Sequence, residues 1–74
     1  MRTRDVTVIQ KRFGAHVRDR RKLRGLSRET LALSCKFGRT YIGGIERGER
    51  NISLLNIYTI AAALDVPVKD LFSD

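Results

Sequence analysis

A single cysteine, Cys35, and a single histidine, His16, occur in a chain of 74 residues. A domain this short has a small core, and such domains commonly rely on disulfides, a structural metal or self-association for stability. One cysteine cannot form an intramolecular disulfide, and one cysteine with one histidine falls short of the four ligands of a structural zinc site. We therefore expect one small domain, without metal or other cofactor, that gains stability by oligomerising.

The N-terminal part of the chain has a helical pattern with a clear start and stop. Thr7 and Gln10 have the spacing of a capping box, which predicts that a first helix starts at Val8. Gly25 is a typical helix stop, because glycine adopts the left-handed conformation that ends many helices. Residues 1–6 lack apolar periodicity, so we predict a flexible N-terminal arm there.

The rest of the chain also reads as short helices, and no stretch alternates like a strand. Ser27 and Ser53 are good N-caps and predict the starts of a second and a fourth helix. Pro67 opens a short last helix. The prediction is a single all-α domain over residues 7–74, following the arm.

The stretch RTYIGGIERGER predicts a third helix with two adjacent glycines in its interior. Each interior glycine costs a helix about 1 kcal/mol relative to alanine. At 100° per residue, one face is shared by Thr40, Gly43, Gly44 and Arg47. We expect the two glycines to leave this face bare, so that a ligand can approach the helix backbone closely. The alternative is an unused surface on which glycine is merely tolerated.

The charge of the chain is strongly positive and unevenly spread. The formal net charge is +7 and the isoelectric point is near 10.5. Residues 1–50 hold 14 Lys and Arg against 5 Asp and Glu, whereas residues 51–74 hold one Lys against three Asp. A basic portion of this kind favours a polyanionic partner, above all nucleic acid. The alternative is a solvated face that keeps the protein soluble.

Several other classes of protein are disfavoured by the same sequence. No long apolar run and no signal peptide occurs, which predicts no membrane association and a cytoplasmic location. The chain lacks a plausible nucleophile–base pair and a glycine-rich phosphate loop, and it is too short to enclose a substrate pocket. We therefore predict that it is not an enzyme.

Two short helices joined by a tight turn, in a basic helical domain, are typical of a helix-turn-helix. The stretch GLSRETLALSCKFGRTYIGGIERGERNISLLNIYTIAAALDVPVKDLF resembles the lambda-repressor-like (Cro/repressor) helix-turn-helix family, over about residues 13–72. Within that family, RTYIGGIERGERNISLLNI in a stand-alone domain is most similar to the controller proteins of bacterial restriction–modification systems. The resemblance implies a compact five-helix domain that binds double-stranded DNA, with residues 39–47 as the recognition helix.

The resemblance also implies which residues contact DNA. Base edges would be read from Arg39, Thr40, Gly43 and Gly44. Arg28 would contact a phosphate or a base edge, and the DNA backbone would be held by Arg47, Arg50 and Asn51. Tyr41 would pack beside the core and offer its hydroxyl to a phosphate. For each of these residues a solvated or packing role is the alternative.

Arg39 has physical support of its own for a functional role. A cation at a helix N-terminus opposes the helix dipole, which argues against a purely structural residue. Its guanidinium could bind guanine O6 and N7 together, the commonest specific contact to DNA. The resemblance further implies a buried structural ion pair between Arg21 and Glu46, so Glu46 is not expected to be catalytic.

Three positions depart from the family pattern. Lys36 stands where the turn usually has glycine, so it must accept a positive φ or the turn is altered. Gly38 replaces the usual polar N-cap of the recognition helix, and Arg20 replaces an apolar residue of the first helix. Cys35 lies at a small core position, which favours packing over redox sensing.

The predicted fourth helix is more apolar than one core face requires. One stripe, expected to serve the core, consists of Leu54, Ile57, Ile60, Ala61 and Leu64. A second stripe consists of Leu55, Tyr58 and Ala62, and a surface helix needs only one. We predict a homodimer interface there, completed by parts of Val66, Leu71 and Phe72. The alternative is a wide core face.

Taken with the resemblance, these features predict a homodimeric, sequence-specific DNA-binding transcriptional regulator. It would bind a pseudo-palindromic operator, as the controller protein of a restriction–modification system, with RNA polymerase as a candidate further partner. The alternatives are an antitoxin-type interaction module that also binds DNA, and a phage or plasmid repressor.

Overall fold

Four α-helices and one short 3₁₀ helix make up the fold. The structure is a computed structural model that describes residues 3–73. The helices are α1 (Thr3–Leu23), α2 (Arg28–Cys35), α3 (Arg39–Glu46), α4 (Leu54–Leu64) and the 3₁₀ helix (Val68–Leu71). All regular structure in this part of the chain is helical, which confirms the all-α prediction. The implied fifth helix is a four-residue 3₁₀ turn, too short to establish the hydrogen bonding of an α-helix.

Serine side chains cap two of the helices, as their sequence positions predicted. Ser27 Oγ accepts a hydrogen bond from the backbone N–H of Thr30 at 3.0 Å, and Ser53 Oγ accepts one from Asn56 at 3.2 Å. Each bond satisfies an N–H that has no partner within its helix. Gly25, with φ of 70°, follows the end of α1, as predicted.

The predicted start of the first helix is wrong. Helix α1 begins at Thr3, so Thr7 and Gln10 lie in its interior and do not cap it. Residues 3–6 of the predicted arm are therefore helical. Residues 1 and 2, the remainder of that arm, and Asp74 lie outside the described residues.

The first turns of α1 carry apolar side chains that line a groove. Val6 and Ile9 continue, at helical spacing, the row that Phe13 begins, and they line an apolar groove shared with Ile57 and Phe72. Most of the stability of a helix in a protein comes from packing one face rather than from its terminal signals. Val6 and Ile9 remain 38% and 42% exposed, so the groove covers them only in part and adds modest support to the early start of α1.

The core lies where α1, α2, α3 and α4 meet. Its buried residues are Phe13, Val17, Leu31, Ala32, Cys35, Ile42, Ile45, Ile60, Ala61, Leu64 and Leu71. Leu54, predicted to be a core residue, is instead 70% exposed, because it lies at the edge of the face of α4 that packs against the core. Burial raises the pKa of the Cys35 thiol, which keeps it protonated and favours its packing role.

A buried ion pair connects α1 to the end of α3. Arg21 Nε donates to Oε2 of Glu46 at 2.7 Å and Nη2 donates to Oε1 at 3.2 Å, while Nη1 donates to the backbone oxygen of Leu26 at 2.8 Å. The two side chains are 8% and 3% exposed. Arg28, at the start of α2, donates its Nε to the same carboxylate at 3.1 Å. One carboxylate therefore connects three helices.

Helix α1 also touches the end of α3 through backbone. A Cβ at Gly14 would lie 2.8 Å from the backbone oxygen of Glu46 and nearer still to that of Ile45. A Cβ at Gly48, which has φ of 76°, would lie 2.7 Å from Cα of Lys11. Only glycine fits at either position.

The Arg20 departure is explained by an ion pair at the other end of the fold. Its Nη2 lies 3.7 Å from Oδ2 of Asp70 in the 3₁₀ helix.

No helix among the described residues is long and apolar enough to cross a membrane.

Removing one partner of the buried ion pair should be strongly destabilising. Glu46→Ala leaves the Arg21 guanidinium buried without its counter-charge, and we expect a loss of about 3–5 kcal/mol in the free energy of unfolding, measured by urea titration. In the double variant Arg21→Met/Glu46→Leu the loss should be clearly smaller than the sum of the single losses. Additive losses would show that the two side chains do not stabilise each other.

Alanine should have opposite effects at two helical glycines. Gly14→Ala would push α1 away from the carbonyl groups that end α3, at a cost of about 1–3 kcal/mol. Gly43→Ala is the matched control, since its Cβ meets only the flexible end of Arg47 at 3.1 Å. That variant should gain up to about 1 kcal/mol of helix propensity. Thermal melting compares the two, and a stabilised Gly14→Ala protein would contradict the close approach.

Candidate nucleic-acid interface

The turn between α2 and α3 keeps a regular shape despite its unusual residues. Lys36 adopts the left-handed conformation, with φ of 59° and ψ of 35°, and the Phe37 N–H donates to the backbone oxygen of Ala32 at 2.9 Å. Lysine thus accepts the positive φ that glycine usually supplies, at a cost of about 1 kcal/mol. Gly38 is the N-cap of α3, with extended backbone and no side-chain cap.

An open cleft of about 580 Å³ lies between α2 and α3. Five of the predicted DNA-contacting residues line it: Arg28, Arg39, Thr40, Gly43 and Arg47. The first residue of each helix, Arg28 and Arg39, stands at the rim where the helix N-terminus adds a partial positive charge. The cleft therefore concentrates positive charge around the exposed start of α3.

The other predicted residues lie along the far side of α3. Tyr41 is half-buried, its hydroxyl accepts a hydrogen bond from Asn56 Nδ2 at 3.0 Å, and the Arg50 guanidinium lies 5.7 Å from the centre of its ring. Tyr41 therefore packs as predicted and also orients a cation. Gly44 lies beneath Arg50, and Asn51 lines the apolar groove rather than the cleft.

The expectation that Gly43 and Gly44 leave a bare helix face is wrong. Both glycines are buried, and the atoms that cover them belong to arginines. A Cβ at Gly43 would lie 3.1 Å from Nη1 of Arg47, and one at Gly44 would lie 3.1 Å from Cγ of Arg50. The missing side chains let the two arginines lie flat across the backbone of α3.

Carboxylates accompany the arginines of this surface. Glu29 Oε1 lies 3.7 Å from Nη1 of Arg39, and Glu49 Oε2 accepts from Nε of Arg47 at 3.0 Å. The hydrogen bond from Arg47 lowers the pKa of Glu49, and the same bond raises the pKa of Arg47. Sequence reasoning gave neither Glu29 nor Glu49 a role at this surface.

The exposed side of α4 carries three large apolar side chains. Leu54, Leu55 and Tyr58 are 70%, 75% and 57% exposed, and Ala62 is also exposed beside them. We call these four residues the α4 surface. Because these four residues are exposed, they are not part of one wide core face, which was the alternative.

The three C-terminal residues predicted to complete the interface differ in burial. Phe72 is half-exposed, and its ring centre lies 5.1 Å from that of Phe13. Val66 is partly buried against the core. Leu71 is fully buried, so its assignment to an interface is wrong: the 3₁₀ helix turns that side chain inward.

Two short helices joined by a tight turn, with the first residues of the second helix exposed, define a helix-turn-helix. A family model described as helix-turn-helix (HTH_3) matches residues 17–71. The chain belongs to this helix-turn-helix family.

Relatives of the chain include named control proteins. Control protein C.BamHI from Bacillus amyloliquefaciens is 52% identical over 60 residues, which cover 80% of this chain and 74% of that protein. Control protein C.MunI from a Mycoplasma species is 42% identical over 67 residues, covering 89% and 90%. The chain is thus similar in sequence to control proteins over most of its length.

A solved structure supports the same relationship. The restriction-modification controller protein C.AhdI from Aeromonas hydrophila has a TM-score of 0.83 and 48% identity, covering 85% of this chain and 96% of that chain. The predicted resemblance to restriction–modification controller proteins is confirmed.

Proposed function

We propose that the chain is a homodimeric, sequence-specific DNA-binding regulator of transcription, acting as the controller of a restriction–modification system. It would bind a pseudo-palindromic operator near the restriction–modification genes and its own promoter, in the bacterial cytoplasm. The observation that carries this proposal is the basic cleft at the exposed start of α3. Similarity to control proteins along most of the chain supports it.

The geometry of the cleft fits a recognition helix in the major groove. Arg39 and Thr40 lie at the N-terminal end of α3, where helix-turn-helix proteins contact base edges. The side chain of Arg39 is 71% exposed, and its guanidinium has the shape to bind guanine bidentately. Arg28 and Arg47 line the same cleft, and Arg50 lies over Tyr41 on the other side of α3. All three suit phosphate contacts, which fix the register of the protein on DNA.

Self-association would place two recognition helices on one face of DNA. The α4 surface is contiguous apolar area of the kind that marks interaction sites. A two-fold dimer formed through it would read two half-sites about 34–36 Å apart, one turn of DNA. Regulation would then follow from binding alone: beside the polymerase site the dimer would activate, with RNA polymerase as a further partner, and over that site it would repress.

Selection of binding sites from random duplex DNA tests the proposal directly. The protein should enrich a sequence with two-fold symmetry, and its half-site centres should lie about 10 base pairs apart or at a multiple of that spacing. Recovery of no sequence above the input library would contradict sequence-specific binding.

Two arginines should separate base reading from phosphate binding. Arg39→Ala should cost about 1–3 kcal/mol on the selected operator and relax the preference at one position of each half-site. Arg50→Ala should weaken binding to operator and random DNA alike and flatten the dependence on salt. Titrations of both DNAs at several salt concentrations measure these effects, and equal losses for Arg39→Ala on both DNAs would move Arg39 to the phosphate class.

A charge on the α4 surface should break the dimer. Tyr58→Asp places a carboxylate among apolar side chains without entering the core, so the protein should stay helical, sediment as a monomer and lose most of its operator affinity. Leu23→Asp is the control, because Leu23 is 78% exposed at the end of α1 and lies outside this surface. A dimeric Tyr58→Asp protein would place the interface elsewhere.

A further inference from the structure

An exposed carboxylate stands inside the surface proposed to meet DNA. Glu29 lines the α2–α3 cleft together with Arg28, Arg39 and Thr40, and its side chain is 66% exposed. A negative charge in that position repels phosphates, so it weakens the general attraction on which non-specific binding depends. Glu29 lies in the first turn of α2, where the helix dipole favours a negative charge, and its place in the cleft adds a contact with an arginine.

The partner of Glu29 is the residue best placed to read a base. Oε1 of Glu29 lies 3.7 Å from Nη1 of Arg39, across the turn that joins the two helices. Arg39 is otherwise a long side chain projecting from the first residue of α3 into solvent, with many rotamers available. A carboxylate carried by α2 within ion-pair distance favours the rotamers that keep the guanidinium toward the cleft.

Arginine can keep such a partner while binding a base. Its planar guanidinium has five N–H donors, so one edge can face a carboxylate while another donates two bonds to guanine O6 and N7. A phosphate contact is different, because the guanidinium must turn toward the DNA backbone and leave the carboxylate facing phosphates unpaired. The pairing with Glu29 is therefore compatible with base reading and opposed to non-specific contact.

We propose that Glu29 is a positioning residue that sets sequence specificity by holding Arg39 for base contact and penalising its use on phosphates. This inference rests on the proposed DNA-binding function.

Glu49 provides a matched contrast on the same surface. It pairs with Arg47 at 3.0 Å, is similarly exposed, and follows α3 rather than standing across the turn from its start. Arg47 belongs to the group suited to phosphates, so neutralising Glu49 should raise affinity for every sequence equally. Glu29 and Glu49 thus differ in which class of arginine they hold.

The test compares Glu29→Gln and Glu49→Gln on the selected operator and on random duplex DNA. Glu29→Gln should raise affinity for random DNA by about two- to fivefold, the upper range for an exposed pair, without raising operator affinity. Its slope of log affinity against log salt on random DNA should steepen by about 0.9 as Arg39 gains a phosphate. Glu49→Gln should leave the ratio of operator to random affinity unchanged.

Two further variants make the assignment specific. Asp65→Asn removes one negative charge at the C-cap of α4, where Asp65 pairs with Arg24 at 3.6 Å. This variant should change neither the ratio of operator to random affinity nor the slope of log affinity against log salt. In an Arg39→Ala background, Glu29→Gln should have no further effect on the base preference, because the residue it positions is gone. Thermal melting should show every variant folded, since each changed side chain is exposed.

The outcomes separate the inference from the function on which it rests. If the parent protein enriches no DNA sequence, the proposed function fails. If the parent enriches an operator but Glu29→Gln changes operator and random affinity equally, Glu29 does not position Arg39. If Glu29→Gln removes a preference for a C·G pair that Arg39→Ala retains, Glu29 itself reads the cytosine amino group and the positioning role is overturned.

Discussion

The carboxylate of Glu46 is the interaction on which the arrangement of the three N-terminal helices depends. It accepts hydrogen bonds from Arg21 on α1 and from Arg28 on α2, while its own backbone ends α3. A buried charge is stable only when it is paired and hydrogen-bonded, so these helices have few other arrangements that satisfy it. The same group thus stabilises the interior and holds an arginine at the rim of the cleft.

The exposed surface around α3 combines attraction with restraint. Arginines supply the positive charge that a polyanion requires, yet Arg28, Arg39 and Arg47 each have a glutamate of the same chain within 4 Å. A surface of unpaired arginines would bind any DNA tightly. Under the proposed function, the internal partners would lower that general affinity and leave geometry at the base edges to decide which sequence is bound.

Sequence reasoning predicted the helical class, two serine caps, the helix-turn-helix and the family, because these follow from local patterns and a distinctive motif. Sequence reasoning was wrong where contacts between residues far apart in the sequence determine the structure. Val6, ahead of the predicted start of α1, and Ile9 line a groove shared with residues distant in the sequence, which no capping pattern reveals. Leu71 is apolar and near the C-terminus, but only the path of the 3₁₀ helix shows that it points inward.

In the cleft, the sequence likewise could not predict which side chains contact one another. Helical angles placed Gly43 and Gly44 on one face, but they could not show that Arg47 and Arg50 fold back across it. The partnership of Glu29 with Arg39 crosses a turn between two helices, so it has no signature in residue spacing. Five of the residues expected to contact DNA were found lining the cleft, whereas the contacts that these side chains make with one another were not predictable.

The backbone contact at Gly14 gives the domain a mechanical property. Where side chains separate two helices, changes of rotamer absorb a small shift of one helix before the backbone of the other moves. Where α1 lies directly against the carbonyl groups that end α3, no side chain lies between the two backbones to absorb such a shift. A displacement of α1 is therefore transmitted directly to the end of α3, because the two backbones are in contact there.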